Sequence, residues 1–380
     1  MKIKSLELIN FRNYEKLKIK FGEKWNILVG ENGAGKTNIL EALYYSVTTK
    51  SFRTSKLDNL VKNSEKEFYL NLEFLDDDIE ILSSIENIYK KTENYKKAQK
   101  NIKLNKSNIR LLELLGIIPF IFFVPDDILV IKGDGENRRK LFDFILYQIF
   151  PNYKFLFNRY FNVLKKRNLL LKEIKQKNIN VPYLESWDEN LIDLNVKIFQ
   201  KRCELNNILN EKLSDEKNIL FFDKKIKVQY ISIFLKQNLN VENYNELYDF
   251  FKEELNKNYE KDKILGFTSK GIHRDDWQFF YNEKDIKFFG SQGEMRLFIL
   301  LIKIILSDVI FEYLRKRPIL IFDDIFSELD IFNTKILIDA CDKHNLQIFI
   351  TTVDIDKLKI NNLFQNAILN IFNVKNGSIF

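Results

Sequence analysis

The stretch Gly30-Glu31-Asn32-Gly33-Ala34-Gly35-Lys36-Thr37 constrains this chain more than any other. It fits the pattern G-x-x-x-x-G-K-[ST] and sits where a strand should hand over to a helix. Trp25-Asn26-Ile27-Leu28-Val29 before it is apolar and β-favouring; after it Ile39, Leu40 and Leu43 recur at helical spacing. The glycines let successive backbone N–H groups point into one hole, where the helix N-terminus adds its positive end. A polyphosphate fits such a hole. Lys36 is expected to reach its β- and γ-phosphates, and Thr37 to ligate Mg²⁺ beside them, so the sequence predicts a nucleotide site with Mg²⁺ formed from Gly30 to Thr37.

At 380 residues, 45% of them hydrophobic, the chain is too long for one small core, and one large head with an inserted domain is expected. The longest apolar run, Leu297 to Leu306, is broken by Lys303, which argues against a membrane span. Met1 to Ser5 lacks a secretory h-region, so a cytoplasmic protein is expected. Cys203 and Cys341 lie far apart without metal spacing and are read as small buried hydrophobes.

Net charge is +7, unevenly spread. From Asn87 to Arg110, eight positive residues (Lys90, Lys91, Lys96, Lys97, Lys100, Lys103, Lys106 and Arg110) stand against Glu93 alone. The stretch reads as a hairpin, with Ile88 and Tyr89 on one arm and Ile102 and Leu104 on the other. Two readings stay open for it, a contact to the DNA backbone and a solvated lysine-rich face.

Ahead of the phosphate loop, Ile3 to Phe21 reads as two strands joined at Asn10-Phe11-Arg12-Asn13-Tyr14. Arg12 there is either a contact to nucleotide or DNA phosphate or an ordinary surface arginine, and the basic loop Lys50 to Thr54 has the same two readings. Phe68 to Phe74 and Ile79 to Ile85 read as paired strands, and Ile117 to Val124 as a strand buried on both faces, stopped by Pro125. No glycine occurs between Gly135 and Gly266, while Leu184, Trp187, Leu191, Leu194 and Ile198 step down one helical face; this is a mostly helical insertion containing one strand, Lys225 to Ile231. A helix from about Asn152 to Lys177 carries Lys154, Arg159, Lys165, Lys166, Arg167, Lys172, Lys175 and Lys177, a candidate second basic surface. The expected division is a nucleotide-binding head of residues 1–135 and 263–380, with residues 136–262 inserted.

Gly266 to Asp276 is a polar loop in which His273, beside Arg274, has a phosphate-contact and a structural reading. A hairpin from Trp277 to Phe289 is expected to lead into Ser291-Gln292-Gly293-Glu294 and an interior helix, Met295 to Leu306. Ser291 and Gly293 at that N-terminus suit an anion, and the plainer reading is a capping box of Ser291 with Glu294. Pro318 to Phe322 is a buried strand ending in Asp323-Asp324, with Asp323 read as a Mg²⁺ ligand and Asp324 as the group that orients or deprotonates the attacking water. A helix through His344 and a strand Leu346 to Ile350 complete a β-α-β unit, with Thr351 and Thr352 near the same ligand edge. Asn376-Gly377 between apolar runs signals a closing hairpin.

The order of these motifs resembles the P-loop ATP-binding-cassette heads of the SMC-like class. Asn10 to Tyr14, Pro125-Asp126-Asp127 with Gly133 and Arg138-Arg139, His273-Arg274-Asp275-Asp276, Ser291-Gln292-Gly293 and Ser327-Glu328-Leu329-Asp330 narrow the resemblance to the RecF family of bacterial recombination-repair proteins, over essentially the whole chain. The resemblance implies an α/β cassette head with a helical insertion. It also implies a DNA-binding ATPase acting at single-strand gaps and stalled forks, which dimerises on ATP and loads recombinase with RecO and RecR. In such heads the signature serine, here Ser291, contacts the γ-phosphate held by the other protomer. Asp324 stands where many cassette ATPases have glutamate, so slow turnover is expected; a clamp in which ATP is a switch ligand with negligible turnover, or a cassette ATPase outside repair, is the alternative. A small-molecule kinase would have no use for the late serine-headed helix. A transporter cassette would carry L-S-G-G-Q, and a GTPase N-K-x-D, neither of which occurs here.

Overall fold

The computed structural model describes residues 1–76, 81–91, 98–177, 184–215, 225–236, 239–325, 329–343, 346–353 and 368–380. The chain forms two compact units, residues 1–127 with 296–380, and residues 128–295.

The first unit holds two six-stranded sheets. One is antiparallel and runs Tyr14–Lys20, Lys2–Phe11, Glu67–Asp76, Ile81–Lys90, Gln99–Leu104, Ser107–Asn108. Its strands alternate in burial, as in Glu67–Asp76, so one face meets the core. The other sheet runs Ser378–Ile379, Leu369–Lys375, Trp25–Val29, Ile348–Thr352, Ile319–Phe322, Phe120–Phe123, and is parallel apart from the closing hairpin. Its middle strands are apolar because both faces are covered; all four residues of Ile319–Phe322 are buried. The helix Lys36–Thr48 touches Ile348–Thr352 of this sheet and Lys2–Phe11, Glu67–Asp76 and Ile81–Lys90 of the other. Contact on both sides explains why Ile39, Leu40, Ala42, Leu43, Tyr45 and Val47, which lie all round it, are buried.

Sequence and structure agree on the closing hairpin, where Asn376 and Gly377 take φ of 48° and 77°, as a two-residue primed turn requires. The basic stretch is a hairpin too, with Tyr89 opposite Lys100 and Asn87 opposite Ile102. Lys96 and Lys97 lie outside the described residues, as do Ser327 and Glu328. The buried strand before Pro125 is shorter than the apolar run and covers Phe120–Phe123.

The second unit carries helices Gly135–Ile149, Tyr153–Lys177, Leu184–Ser214 and Tyr244–Lys257, with a three-stranded antiparallel sheet of Lys284–Asp285, Asp276–Tyr281 and Ile226–Ile231. The hairpin expected from Trp277 to Phe289 stops early: Asp285 caps a short helix, Ile286–Phe289, by accepting from the Lys287 N–H at 2.9 Å. Tyr153–Lys177 is not basic all along its surface. Arg167 is fully buried, pairing with Asp188 at 2.5 Å and Asp262 at 2.9 Å, and Lys154 is buried as well.

The helix beginning at Gln292 continues to Leu314, past the expected end at Leu306. Lys303, which interrupts the apolar run, is accommodated because its ammonium donates to Phe122 O at 2.6 Å and pairs with Asp127 at 2.5 Å.

Candidate nucleotide site

Sheet order assembles the site. The strand Ile348–Thr352 lies between Trp25–Val29, which feeds the phosphate loop, and Ile319–Phe322, which ends at Asp323. Three carboxyl ends therefore meet at one edge, the place where open parallel sheets bind ligands. Thr37 Oγ1 and Thr351 Oγ1 each donate to Asp323 Oδ1 at 2.8 Å, and the Asp324 N–H donates to Thr351 Oγ1 at 2.9 Å.

The loop conformation depends on its glycines. Gly35 takes φ 113°, and a Cβ there would meet Asn13 and the Tyr14 hydroxyl within 2.8 Å. A Cβ on Gly30 would lie 2.2 Å from the Val374 carbonyl. The neighbours that leave no room are also its supports: Tyr14 donates to Gly35 O at 3.1 Å, Asn13 Nδ2 to Ala34 O at 3.3 Å, and the Gly377 N–H to Ala34 O at 3.2 Å. Glu31, Asn32 and Gly33 form the exposed rim, while Ala34, Gly35 and Lys36 are buried.

Lys36 donates to Gly30 O at 2.7 Å and Glu31 O at 3.0 Å. Burial pulls its pKa down from the usual lysine value, opposed by the carboxylates of Asp324 and Asp323. Burial pushes the Asp323 carboxyl up, opposed by its hydrogen bonds from Thr351 and Thr37. Asp324 adopts a left-handed backbone with φ 52°, an uncommon conformation that aspartate tolerates and that gathers at functional sites.

A cavity of about 250 Å³ opens over the loop, lined there by Asn32, Gly33, Gly35, Lys36, Thr37 and Asn38. Arg53, Asp324 and Thr351 line the rest. The lining joins residues of the phosphate loop to Asp324. Asn38 is an addition; its place directly after Thr37 in the first helical turn was the available signal. A hydroxyl and a carboxylate side by side, Thr37 and Asp323, form a donor set suited to Mg²⁺, a hard ion that keeps waters and phosphate oxygens as its other ligands. Among the described residues no group of three or more His, Cys, Asp or Glu is gathered for a metal.

Other candidates take different places. Arg12 is no surface arginine: its guanidinium grips the buried Glu41 through two contacts of 2.8 Å. His273 is structural. Its Nδ1 meets the Tyr160 hydroxyl at 2.6 Å and its Nε2 the Thr268 carbonyl at 3.1 Å, and burial lowers its pKa to about 4, so the ring is neutral.

Ser291 is exposed at the head of the helix Gln292–Leu314, as are Gln292 and Gly293, and a Cβ on Gly293 would meet nothing within 4 Å. The capping box is formed, with the Glu294 N–H donating to Ser291 Oγ at 3.2 Å and the Ser291 N–H to Glu294 Oε2 at 2.9 Å. Of the hairpin lysines, Lys90 pairs with Glu67 at 2.8 Å and Lys91 donates to Glu65 O at 2.7 Å, while Lys100 is exposed.

Among the described residues no helix is long and apolar enough to cross a membrane. The family model described as RecF/RecN/SMC N terminal domain matches residues 2–379. The DNA replication and repair protein RecF of Clostridioides difficile (strain 630) is 33% identical, covering 100% of this chain and 98% of its own length. That of Clostridium beijerinckii is 36% identical with the same coverage. A solved structure of the recombination mediator protein RecF with ATP, in the RecFOR pathway, superposes with a TM-score of 0.86 at 30% identity, covering 100% of this chain and 97% of that one. An Smc head bound to the C-winged helix domain of ScpA shares the fold at a TM-score of 0.58 and 17% identity. With a nucleotide-loop geometry of the cassette type and relatives matched from end to end, the chain belongs to the RecF family of DNA replication and repair proteins, an SMC-like cassette head carrying a mostly helical insertion.

Proposed function

We propose that this chain is an ATP-dependent DNA-binding protein of recombinational repair and replication restart. ATP would draw two copies together, and the pair would clamp DNA at single-strand gaps and help RecO and RecR load recombinase. The observation that carries the ATP reading is the meeting of Lys36, Thr37, Asp323 and Asp324 at one sheet edge, two of them joined by a 2.8 Å hydrogen bond. The RecF structure solved with ATP supports the choice of nucleotide.

Within that reading the phosphate-loop amides and Lys36 hold the β- and γ-phosphates, and Gly30 to Thr37 wrap them. Thr37 and Asp323 would hold Mg²⁺, which offsets phosphate charge when bound. Asp324, its N–H fixed by Thr351, orients or deprotonates water; as the shorter acid it suits slow hydrolysis. Ser291 and Gly293, exposed at a helix N-terminus, suit the γ-phosphate held by a second copy. DNA would be held through its backbone by the hairpin lysines Lys90, Lys91, Lys96, Lys97 and Lys100. A clamp with negligible turnover uses the same contacts without Asp324.

Sedimentation velocity of wild type, Lys36→Met and Ser291→Arg with ATP and a gapped duplex tests the reading. Wild type should pair on ATP while both variants remain single. Identical behaviour of all three would refute nucleotide-driven pairing.

A further inference from the structure

Glu41 stands in the middle of the phosphate-loop helix with its side chain 0% exposed, and three groups from outside the helix converge on it. Arg12 Nε donates to Oε2 and Arg12 Nη2 to Oε1, each at 2.8 Å. The Ser51 hydroxyl donates to Oε1, and the same hydroxyl oxygen accepts the N–H groups of Arg53 and Thr54 at 3.0 Å. Arg53 Nη1 stops 3.7 Å from Oε2, outside hydrogen-bond reach, and donates instead to Asn38 Oδ1 at 2.9 Å.

One buried carboxylate thus faces two guanidiniums on unequal terms. Arg12 occupies both oxygens in a fork-to-fork pair and is tied down elsewhere: its Nη1 donates to Asn59 O at 3.0 Å, its N–H to Leu60 O at 2.7 Å, and its backbone is left-handed with φ 54°. The Arg53 side chain is 46% exposed, against 19% for Arg12, and lines the nucleotide cavity. Arg12 does not line the cavity beside it.

We propose that Glu41 is a positioning residue whose saturation by Arg12 leaves Arg53 at the cavity, aimed by Ser51 and Asn38, to meet a phosphate of the nucleotide. This rests on the ATP reading above. Arg12 acts on the nucleotide only through this competition. When Arg12 is removed, a buried carboxylate without its partner is strongly unfavourable, and the nearest replacement cation is Arg53. A movement of about 1 Å brings it into hydrogen-bond range of Glu41. The guanidinium is then withdrawn from the phosphate.

Calorimetric titration of the full chain with ATP and Mg²⁺ tests this on Arg12→Ala, Arg53→Ala, the double variant, and Arg12→Ala with Glu41→Gln. Arg12→Ala and Arg53→Ala should each weaken ATP by about tenfold, and the double variant should be no weaker than Arg53→Ala alone. Adding Glu41→Gln to Arg12→Ala should restore affinity towards wild type, because a neutral amide does not recruit Arg53; a merely structural role predicts further loss. The proposal is overturned if Arg12→Ala leaves affinity unchanged, or weakens ATP by the same factor with and without Arg53. Lys36→Ala separates the two readings: if it binds ATP like wild type, the ATP site itself is wrong, whereas loss with Lys36→Ala and additive Arg12 and Arg53 effects sinks this inference alone. Should Arg12→Ala not fold by circular dichroism, Arg12→Lys, which cannot form the fork, is read the same way against Arg53→Ala.

Discussion

The Thr37 hydroxyl donates to Asp323 Oδ1 at 2.8 Å across 286 positions of sequence, joining the first turn after the phosphate loop to the end of the strand Ile319–Phe322. Burial raises the Asp323 pKa. The folded state therefore binds this proton more tightly than the unfolded chain; the resulting stability is present at low pH and is lost as pH rises through the raised value. In the proposed site Mg²⁺ would need the ionised form, so the opposite sign holds for the ligand. ATP affinity in Mg²⁺ should fall as pH drops through that value, and Asp323→Asn should bind about tenfold or more weakly with a flatter profile. Titrations from neutral pH down to the ordinary aspartate range check this, and parallel profiles for the two proteins would contradict it.

Arg202 holds the second unit from inside. It pairs with Asp143 at 2.9 Å, lies 3.4 Å from Asp275, donates to Ile272 O at 2.7 Å, and is almost wholly buried. Burial raises the Asp275 pKa to about 6, opposed chiefly by Arg202. Arg202→Met strands two carboxylates and should cost about 3–5 kcal/mol in urea unfolding. Adding Asp143→Leu should recover part of that loss; a cost under about 1 kcal/mol would show that the network is dispensable.

The basic hairpin makes an unequal prediction. Lys90, although exposed, is engaged by Glu67, and Lys91 by a backbone carbonyl; Lys100 is exposed and lies near the cationic Lys50. Neutralising Lys96, Lys97 and Lys100 together should weaken duplex binding and reduce the slope of log K against log salt by about 0.9 for each phosphate that is no longer neutralised. Changing Lys90 and Lys91 alone should do less. Fluorescence anisotropy across a salt series measures both, and an unchanged slope in the triple variant removes the hairpin from the DNA path.

What could be read in the sequence was local. Gly30 to Thr37, the Asn376-Gly377 turn and the capping box at Ser291 are runs of contiguous residues whose backbone chemistry specifies a conformation. What could not be read was pairing across distance. Arg12 looked like a loop cation because nothing nearby announces Glu41, 29 positions away in a helix with no visible need for a charge. Arg167 looked like part of a charged helical surface, yet partners from separate segments draw it inside. The apolar run stops at Leu306 and so did the expected helix, yet the helix runs on to Leu314, and Lys303 inside it is matched by Asp127 from a distant segment.

The central claim, that one copy's phosphate loop is completed by Ser291 of another, is tested most directly by mixing two variants. Lys36→Ala and Ser291→Arg should each fail to form the ATP-dependent dimer alone. In a mixed pair, the intact Lys36 of one copy faces the intact Ser291 of the other, so one complete site returns. Sedimentation velocity with ATP should therefore show a dimer in the mixture that neither variant forms by itself. If the mixture stays as single copies while wild type pairs, or if Ser291→Arg pairs as wild type does, the account is contradicted.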